Sequence, residues 1–275
     1  QLGKKNRCEL SIISTLKEDL SMEKKCNAYQ LKIFAMIFMI IEHIHTFLNI
    51  GPYWIGLFTR FVAPLFTFFI VEGFYKTSSR KKYFLRTFLF SIIMLAGNVL
   101  INLIFKVTDP VTNTMNFYSI VQGLNIFMTF AVFILLMMLI EKIKKKEKMV
   151  LSIFLFSILS LFSILFTEGG SVLYPILLIM YFFYGNKKKI SLGISLVAII
   201  NFVIAFFNYR SGVTGTDFFR NMALYNDWAN FLVIIPIFLY DGSRGKNTKF
   251  AKWFFYIIYP LHIWILYITS LLLNK

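Results

Sequence analysis

The sequence has little charge and almost no cysteine for its length. Only 15% of its 275 residues are charged, whereas a soluble domain carries about 25%. Its two cysteines, Cys8 and Cys26, form no CxxC pair and have no partnering histidines, which argues against a disulfide framework and a zinc site. The sequence also lacks a serine nucleophile elbow, an HExxH motif and a glycine-rich phosphate loop. We therefore predict no metal site.

Apolar residues are in large excess instead. They make up 58% of the chain, and the mean hydropathy is +0.69. A packed core has a finite volume to fill, whereas lipid sets no such limit, so the excess indicates an integral membrane protein. Runs of about 20 apolar residues cross a bilayer as helices, and the sequence predicts an all-α polytopic bundle of about nine transmembrane helices. The predicted spans are 28–48, 54–75, 84–106, 119–140, 149–166, 171–184, 190–208, 227–240 and 251–273. The sixth and eighth are short and are full or partial spans.

Basic residues indicate how these spans are oriented. With the N-terminus in the cytoplasm and the C-terminus outside, 24 of the 29 Lys and Arg residues lie in or beside cytoplasmic segments. Such an excess marks the cytoplasmic side of a membrane protein. The net charge of +16 is thereby explained without nucleic acid, and we predict the lipid bilayer as the partner of these residues.

Two parts of the chain differ in character. Residues 1–27 are predicted to be a cytoplasmic N-terminal segment, either a disordered tail or a short interfacial helix with Ile13, Leu16 and Leu20 on one face. Residues 28–273 are predicted to form a single transmembrane domain.

Ionisable side chains within the spans are the first candidates for a functional site. Glu42 and His43 lie in the first span, Arg60 in the second and His262 in the last. Such groups are costly in lipid and usually face a cavity or a partner. Glu42 and Arg60 are alternatively a structural ion pair that joins two helices.

Amide side chains in the third and fourth predicted spans reach a similar depth. They are Asn98, Asn102, Gln122 and Asn125, and we predict that they line a polar cavity with the ionisable groups. The alternative is that they only form hydrogen bonds from helix to helix.

These residue types suit proton abstraction followed by acyl transfer. A histidine can accept a proton near neutral pH, a carboxylate beside it can orient it, and an arginine can stabilise an oxyanion. A proton-coupled transporter or flippase of a small or lipid-linked solute would use the same groups, and chemistry alone leaves both alternatives open.

Two longer stretches resemble a known family. They are LKIFAMIFMIIEHI (31–44) and RFVAPLFTFFIVEGFYKTSSRKKYFLR (60–86), followed by looser matches at NIFMTF (125–130), YDGSRG (240–245) and FYIIYPLHI (255–263). Together they resemble the TraX family, multipass membrane proteins named for the acetylase of conjugative F-pilin. Glu42 stands where that family has Asp, and Thr59 where it usually has Gly.

The resemblance implies a membrane-embedded acyltransferase that uses acetyl-CoA, or another acyl-CoA, as cosubstrate. In that case His43 would be the general base, Glu42 would orient it, and Arg60 would stabilise the thioester oxyanion or hold Glu42. His262 would be a second base or a transient acyl carrier. The acceptor would be an amine or hydroxyl on a peptide, glycan or lipid, and we expect a multipass protein of a bacterial plasma membrane with no permanently bound cofactor.

The same resemblance places the CoA phosphates at the cytoplasmic mouth of the bundle. Arg80, Lys81, Lys82 and Arg244 are basic residues of that region, and we predict that they bind the cosubstrate. Each of them is alternatively an ordinary contributor to the positive cytoplasmic face.

Overall fold

The computed structural model describes residues 25–212, 215–246 and 248–273, and every regular element in these ranges is helical. The helices are α1 (Ala28–Leu48), α2 (Ile55–Thr59), α3 (Val62–Lys76), α4 (Arg80–Phe105), α5 (Phe117–Val121), α6 (Ile126–Lys144), α7 (Met149–Phe166), α8 (Gly170–Phe182), α9 (Lys187–Arg210), α10 (Phe218–Leu224), the 3₁₀ helix η1 (Asn226–Val233), α11 (Ile234–Leu239) and α12 (Lys249–Leu273). Nearly all of the predicted N-terminal segment, including its interfacial helix, lies outside the described residues.

Seven helical segments are long and apolar enough to cross a membrane. They are α1, α2 with α3, α4, α6, α7, α9 and Trp253–Leu273 of α12. The run from α10 through η1 to α11 passes the same test only as a pair bent by 62°, and α8 is apolar but only 13 residues long. The predicted all-α membrane bundle is confirmed, whereas the count of nine spans and their orientation stay predictions.

The fourth predicted span is wrong at its start. Residues 119–140 do not form one helix, because α5 ends at Val121 and α6 begins only at Ile126. Gly123 between them has a φ of +138°, which favours glycine, and the Asn125 side chain caps α6 by accepting the Met128 N–H. Gln122 and Asn125 therefore lie at a break between two helices and not on the face of one span.

The start of α1 is tied to the loop before α12. Asn27 and Gln30 form a capping box at the first turn of α1. Cys26 forms an isolated parallel bridge with Tyr240, and the Ala28 N–H donates to the Ser243 carbonyl oxygen. These bonds hold the 240–245 loop against the mouth of the bundle.

The helices that surround the centre of the bundle bury different amounts of surface. α6 is largely buried, whereas α7 is mostly exposed on the periphery. α1 packs between α3 and α12, and α3 also packs on α8. The space enclosed by α1, α3, α8 and α12 contains the candidate site.

Candidate functional site

A continuous cavity of about 950 Å³ runs through the interior of the bundle. Small-molecule sites in proteins usually enclose about 300–1,000 Å³, so this one is large. Its walls come from α1, α3, α4, α6, α8 and α12, the segment after α7, η1 and the 240–246 loop. It therefore offers room for an extended ligand.

The two ends of this cavity differ in chemistry. The cationic end is lined by Lys32, Lys76, Arg86, Arg244 and Lys246, together with the carboxylate of Glu72. The histidine end is lined by Glu42, His43, Thr46, Thr59, Arg60, Asp227 and Asn230. Between them the wall is mainly apolar, with Met36 and Met39 on the face of α1 that joins the two ends.

A pair of histidines lies at the histidine end. His43 Nδ1 of α1 is 2.8 Å from His262 Nε2 of α12, although 219 residues separate them in the sequence. His262 Nδ1 is in turn 2.6 Å from the Ile258 carbonyl oxygen. His43 lines the cavity, whereas His262 is only 7% exposed and lies behind it. The sequence predicted both residues, but not their contact.

Arg60 joins two carboxylates at the same end. It lies at the break between α2 and α3, where its Nε and one terminal nitrogen donate to Asp227 Oδ1 at 2.9 and 2.6 Å. The other terminal nitrogen is 3.6 Å from Glu42 Oε1. The predicted pairing of Glu42 with Arg60 is thus present, and Glu42 is turned to the arginine while His43 meets His262.

Asp227 was missed by the sequence analysis. It lies in the first turn of η1, where a polar residue at the start of a short apolar run reads as a helix terminus. Only the fold brings it to Arg60, which is 167 residues away in the sequence.

Glu168 is a second missed carboxylate. It lies in the turn between α7 and α8, and this turn reaches the cavity wall. Its Oε2 accepts from the Tyr259 hydroxyl at 3.2 Å, and its backbone oxygen accepts from Thr129 Oγ1 at 2.9 Å. A lone acidic residue between two apolar runs is the sequence signal that could have revealed it.

Lys32 is half-buried at the cationic end. Its ammonium nitrogen lies 4.9 Å from the centre of the Phe69 ring and 6.0 Å from that of Phe255. These rings hold the side chain against the wall and leave its ammonium group without a carboxylate within the described residues.

Arg86 is held in a similar way by tyrosines. Its Nε donates to the Tyr256 hydroxyl at 3.2 Å, and its guanidinium carbon is 5.4 Å from the Tyr256 ring and 5.7 Å from the Tyr83 ring. Lys76, in contrast, is already paired with Glu72 at 2.6 Å. Within the described chain Arg86 and Arg244, like Lys32, form no ion pair.

The loop that carries Arg244 is ordered by its own hydrogen bonds. Asp241 accepts from the backbone N–H of Ser243, and this bond lowers the pKa of the carboxyl.

Three of the four predicted phosphate-binding residues lie away from the cavity wall. Arg80 forms an ion pair with Glu141 and stacks on Phe74, 4.5 Å from the ring centre. Lys81 and Lys82 are exposed in the first turn of α4. Arg244 alone of the four lines the cavity, and the structure adds Lys32 and Arg86 to it.

The predicted amide cluster has a different position from the one expected. Asn98 donates to the Leu124 carbonyl, and Asn102 donates to those of Ile120 and Gln122. Their own oxygens accept from Trp264 and Tyr267, and Asn125 donates to Ser91. These side chains lie outside the cavity wall, where they hold the 120–125 segment against α4 and α12.

Two comparisons with known proteins found a match. The family model described as TraX protein matches residues 27–270. A protein of Dichelobacter nodosus described as "Probable fimbrial assembly protein FimC, serogroup H1" is 26% identical over 249 residues, which cover 87% of this chain and 94% of that protein. No solved structure matches the chain significantly.

Proposed function

The chain belongs to the TraX family, and we propose that it is a membrane-embedded acyltransferase that moves an acetyl group from acetyl-CoA to an amine or hydroxyl acceptor. The observation that carries this proposal is one continuous cavity that joins unpaired cations at one end to a histidine, an arginine and carboxylates at the other. Along α1, Glu42 lies ten residues after Lys32, which corresponds to a rise of about 15 Å. Such a length suits a donor with charged phosphates at one end and a thioester at the other.

The cationic end would hold the phosphates of the donor. Charges inside a membrane protein are costly unless they are paired or reach water. Lys32 is half-buried without a carboxylate partner, and Arg86 and Arg244 are exposed; all three line the cavity and form no ion pair among the described residues. A ligand with several phosphate charges would compensate them, and the planar guanidinium groups favour phosphate oxygens. The apolar middle of the cavity would then take the pantetheine arm.

The histidine end would carry out the transfer. His43 would take the proton of the acceptor, and the acceptor's heteroatom would attack the thioester carbonyl carbon. The new bond to carbon forms as the carbon–sulfur bond breaks, and the proton held by His43 passes to the sulfur to give CoA thiol. No net proton is gained or lost.

Arg60 would stabilise the oxyanion. A guanidinium has five N–H donors, and the contacts to Asp227 and Glu42 occupy three of them. Two donors remain for the carbonyl oxygen in the transition state. Asp227 and Glu42 would fix the plane of the guanidinium group. The group would then need little reorganisation in the transition state.

The acceptor is proposed from the relative. Because that protein is described as a fimbrial assembly protein, we take a pilus or fimbrial subunit, and thus a peptide, as the first acceptor to test. Glycans and lipids are the next. A relative from a bacterium also supports a bacterial plasma membrane as the location.

Thermal unfolding of the detergent-purified protein with acetyl-CoA tests the donor. A ligand that binds only the folded state raises the apparent Tm by mass action. We expect acetyl-CoA and CoA to raise it, ATP to raise it less, and Arg86→Glu to reduce the shift. Lys82→Glu is the matched control, because this exposed lysine lies on the same helix outside the cavity wall. No shift at millimolar acetyl-CoA would contradict the proposal and favour the transporter alternative.

A further inference from the structure

We infer that His262 is a positioning residue that fixes the tautomer of His43 and leaves Nε2 of His43 as the proton-accepting atom. The inference rests on the proposed acyl transfer for its chemical role. Its structural half, the protonation pattern of the two rings, stands on hydrogen-bond geometry alone.

The first step of the argument is the contact of His262 with the backbone. Its Nδ1 lies 2.6 Å from the Ile258 carbonyl oxygen, one turn earlier in α12. A carbonyl oxygen can only accept a hydrogen bond, so Nδ1 must carry the proton. In a neutral ring the proton on Nδ1 leaves a lone pair on Nε2.

The second step follows across the helix interface. The lone pair of His262 Nε2 faces His43 Nδ1 at 2.8 Å. For a hydrogen bond to form there, His43 Nδ1 must be the donor, and His43 Nε2 is then the unprotonated atom. His43 lines the cavity and His262 does not. Nε2 is therefore the unprotonated atom of a ring that lines the cavity.

The partner that orients this base is neutral. The carboxylate next to it in the sequence, Glu42, is directed to Arg60. A carboxylate behind His43 would add a charge to the interior of the bundle, whereas a second imidazole supplies the same acceptor without one. When His43 takes a proton at Nε2, its Nδ1–H remains bonded to His262.

Nearby contacts keep His262 in this orientation. Its ring packs edge-on against Tyr259, one turn earlier on the same helix, at 5.7 Å between ring centres. The hydroxyl of Tyr259 is bonded to Glu168 and accepts from the Ile126 N–H. The hydroxyl of Tyr259 therefore has two hydrogen-bond partners, and these fix the tyrosine ring beside His262.

Two substitutions separate positioning from packing. In His262→Gln the longer side chain can place its amide oxygen near the former Nε2 and accept from His43. In His262→Asn the shorter amide can still donate to the Ile258 carbonyl oxygen but cannot reach His43. We expect the Gln variant to keep transfer activity within about tenfold, and the Asn variant to lose about 10²-fold or more, in the range of a disabled general base.

Nitrogen NMR of histidine-labelled protein reports the tautomers without any substrate. The chain has only three histidines, so the signals can be assigned with His43→Gln and His45→Gln samples. We expect His43 to be protonated at Nδ1 in the native protein and in His262→Gln, and at Nε2 in His262→Asn. Protonation of His43 at Nε2 in the native protein would overturn the inference. The same would follow if His262→Asn kept full activity.

The two proposals can fail separately in this design. The expected tautomers in a protein that transfers no acyl group would support the hydrogen-bond chain and overturn the proposed function. An active protein in which His43 is protonated at Nε2 would support the proposed function and overturn the hydrogen-bond chain. Thermal unfolding of each variant shows whether a loss reflects unfolding.

Discussion

The two ends of the cavity treat charge in opposite ways. At the cationic end five basic side chains line the wall with one carboxylate, Glu72, which is already paired with Lys76. At the histidine end Arg60 is shared by two carboxylates, and the two histidines bond to each other. Unpaired charge leaves binding free energy available for a ligand, whereas paired charge fixes the geometry of groups that react. The difference supports a binding role for the first end and a chemical role for the second.

The sharpest test of this comparison is to remove the base. We expect His43→Ala to lower the transfer rate by about 10²–10⁴-fold, because a positioned general base contributes that much. The Tm shift caused by acetyl-CoA should survive, since the donor's phosphates would bind at the other end. Initial rates at saturating donor, with the ligand-induced Tm shift as a control, measure both. Loss of the shift together with the rate would contradict the division between the ends.

Reversing one unpaired cation tests the other end. We expect Arg86→Glu to weaken acetyl-CoA binding by about 10–100-fold, because a charge-assisted contact worth about 1.5–3 kcal/mol becomes repulsive. The rate at saturating donor should change far less than KM for the donor. Lys81→Glu, in the first turn of the same helix, should leave both near the native values. A large change in KM for the donor in the Lys81 variant would support the phosphate site that was predicted from the sequence.

Replacing an amide outside the cavity should affect stability rather than catalysis. Asn102→Ala removes three hydrogen bonds, two donated to backbone carbonyls and one accepted from Tyr267. At about 0.6 kcal/mol for each such bond in a membrane protein, we expect a loss of about 2 kcal/mol in the free energy of unfolding. Unfolding curves would measure this loss of stability, and the transfer rate per folded molecule should stay near the native value. A rise in KM for the donor without a loss of stability would instead indicate that Asn102 contributes to the cavity.

The smallest expected effect concerns the loop that carries Arg244. Gly245 has a φ of +69°, and a Cβ there would clash with the Asn27 side-chain oxygen that caps α1. Gly245→Ala should therefore cost about 1 kcal/mol of stability through strain and a weakened cap. Because the loop lies at the cationic end, donor affinity should fall a few-fold while the rate at saturation stays constant. An unchanged Tm would show that this contact does not constrain the loop.

Much of the fold could be predicted from the sequence, because hydropathy reports spans almost directly. The limits of α7 agree with the prediction to the residue. The start of α6 did not, since a cap at Asn125 and a left-handed glycine at Gly123 interrupt a run that is apolar throughout. A prediction that counts only hydrophobic residues misses local polar signals of this kind.

The candidate site was only partly predictable. The cost of burying charge identified Glu42, His43, Arg60 and His262 as residues that need partners. It could not say which partner each one finds, because the contacts of His43 with His262 and of Arg60 with Asp227 join residues more than 160 positions apart. Similarly, the sequence marks α4 as basic at its start but does not show which of its faces meets the cavity.

The short α8 has a consequence for the depth of the residues around it. Its 13 residues span about 20 Å, against a hydrocarbon layer of about 30 Å. α3, α6, α7 and α9 pack against α8, so protein rather than lipid surrounds most of it. Irregular backbone is tolerated at membrane depth where it is buried in protein or lines a cavity. The turn before α8, which carries Glu168, belongs to the cavity wall, and the shortness of α8 would place this carboxylate inside the hydrocarbon layer instead of at its surface.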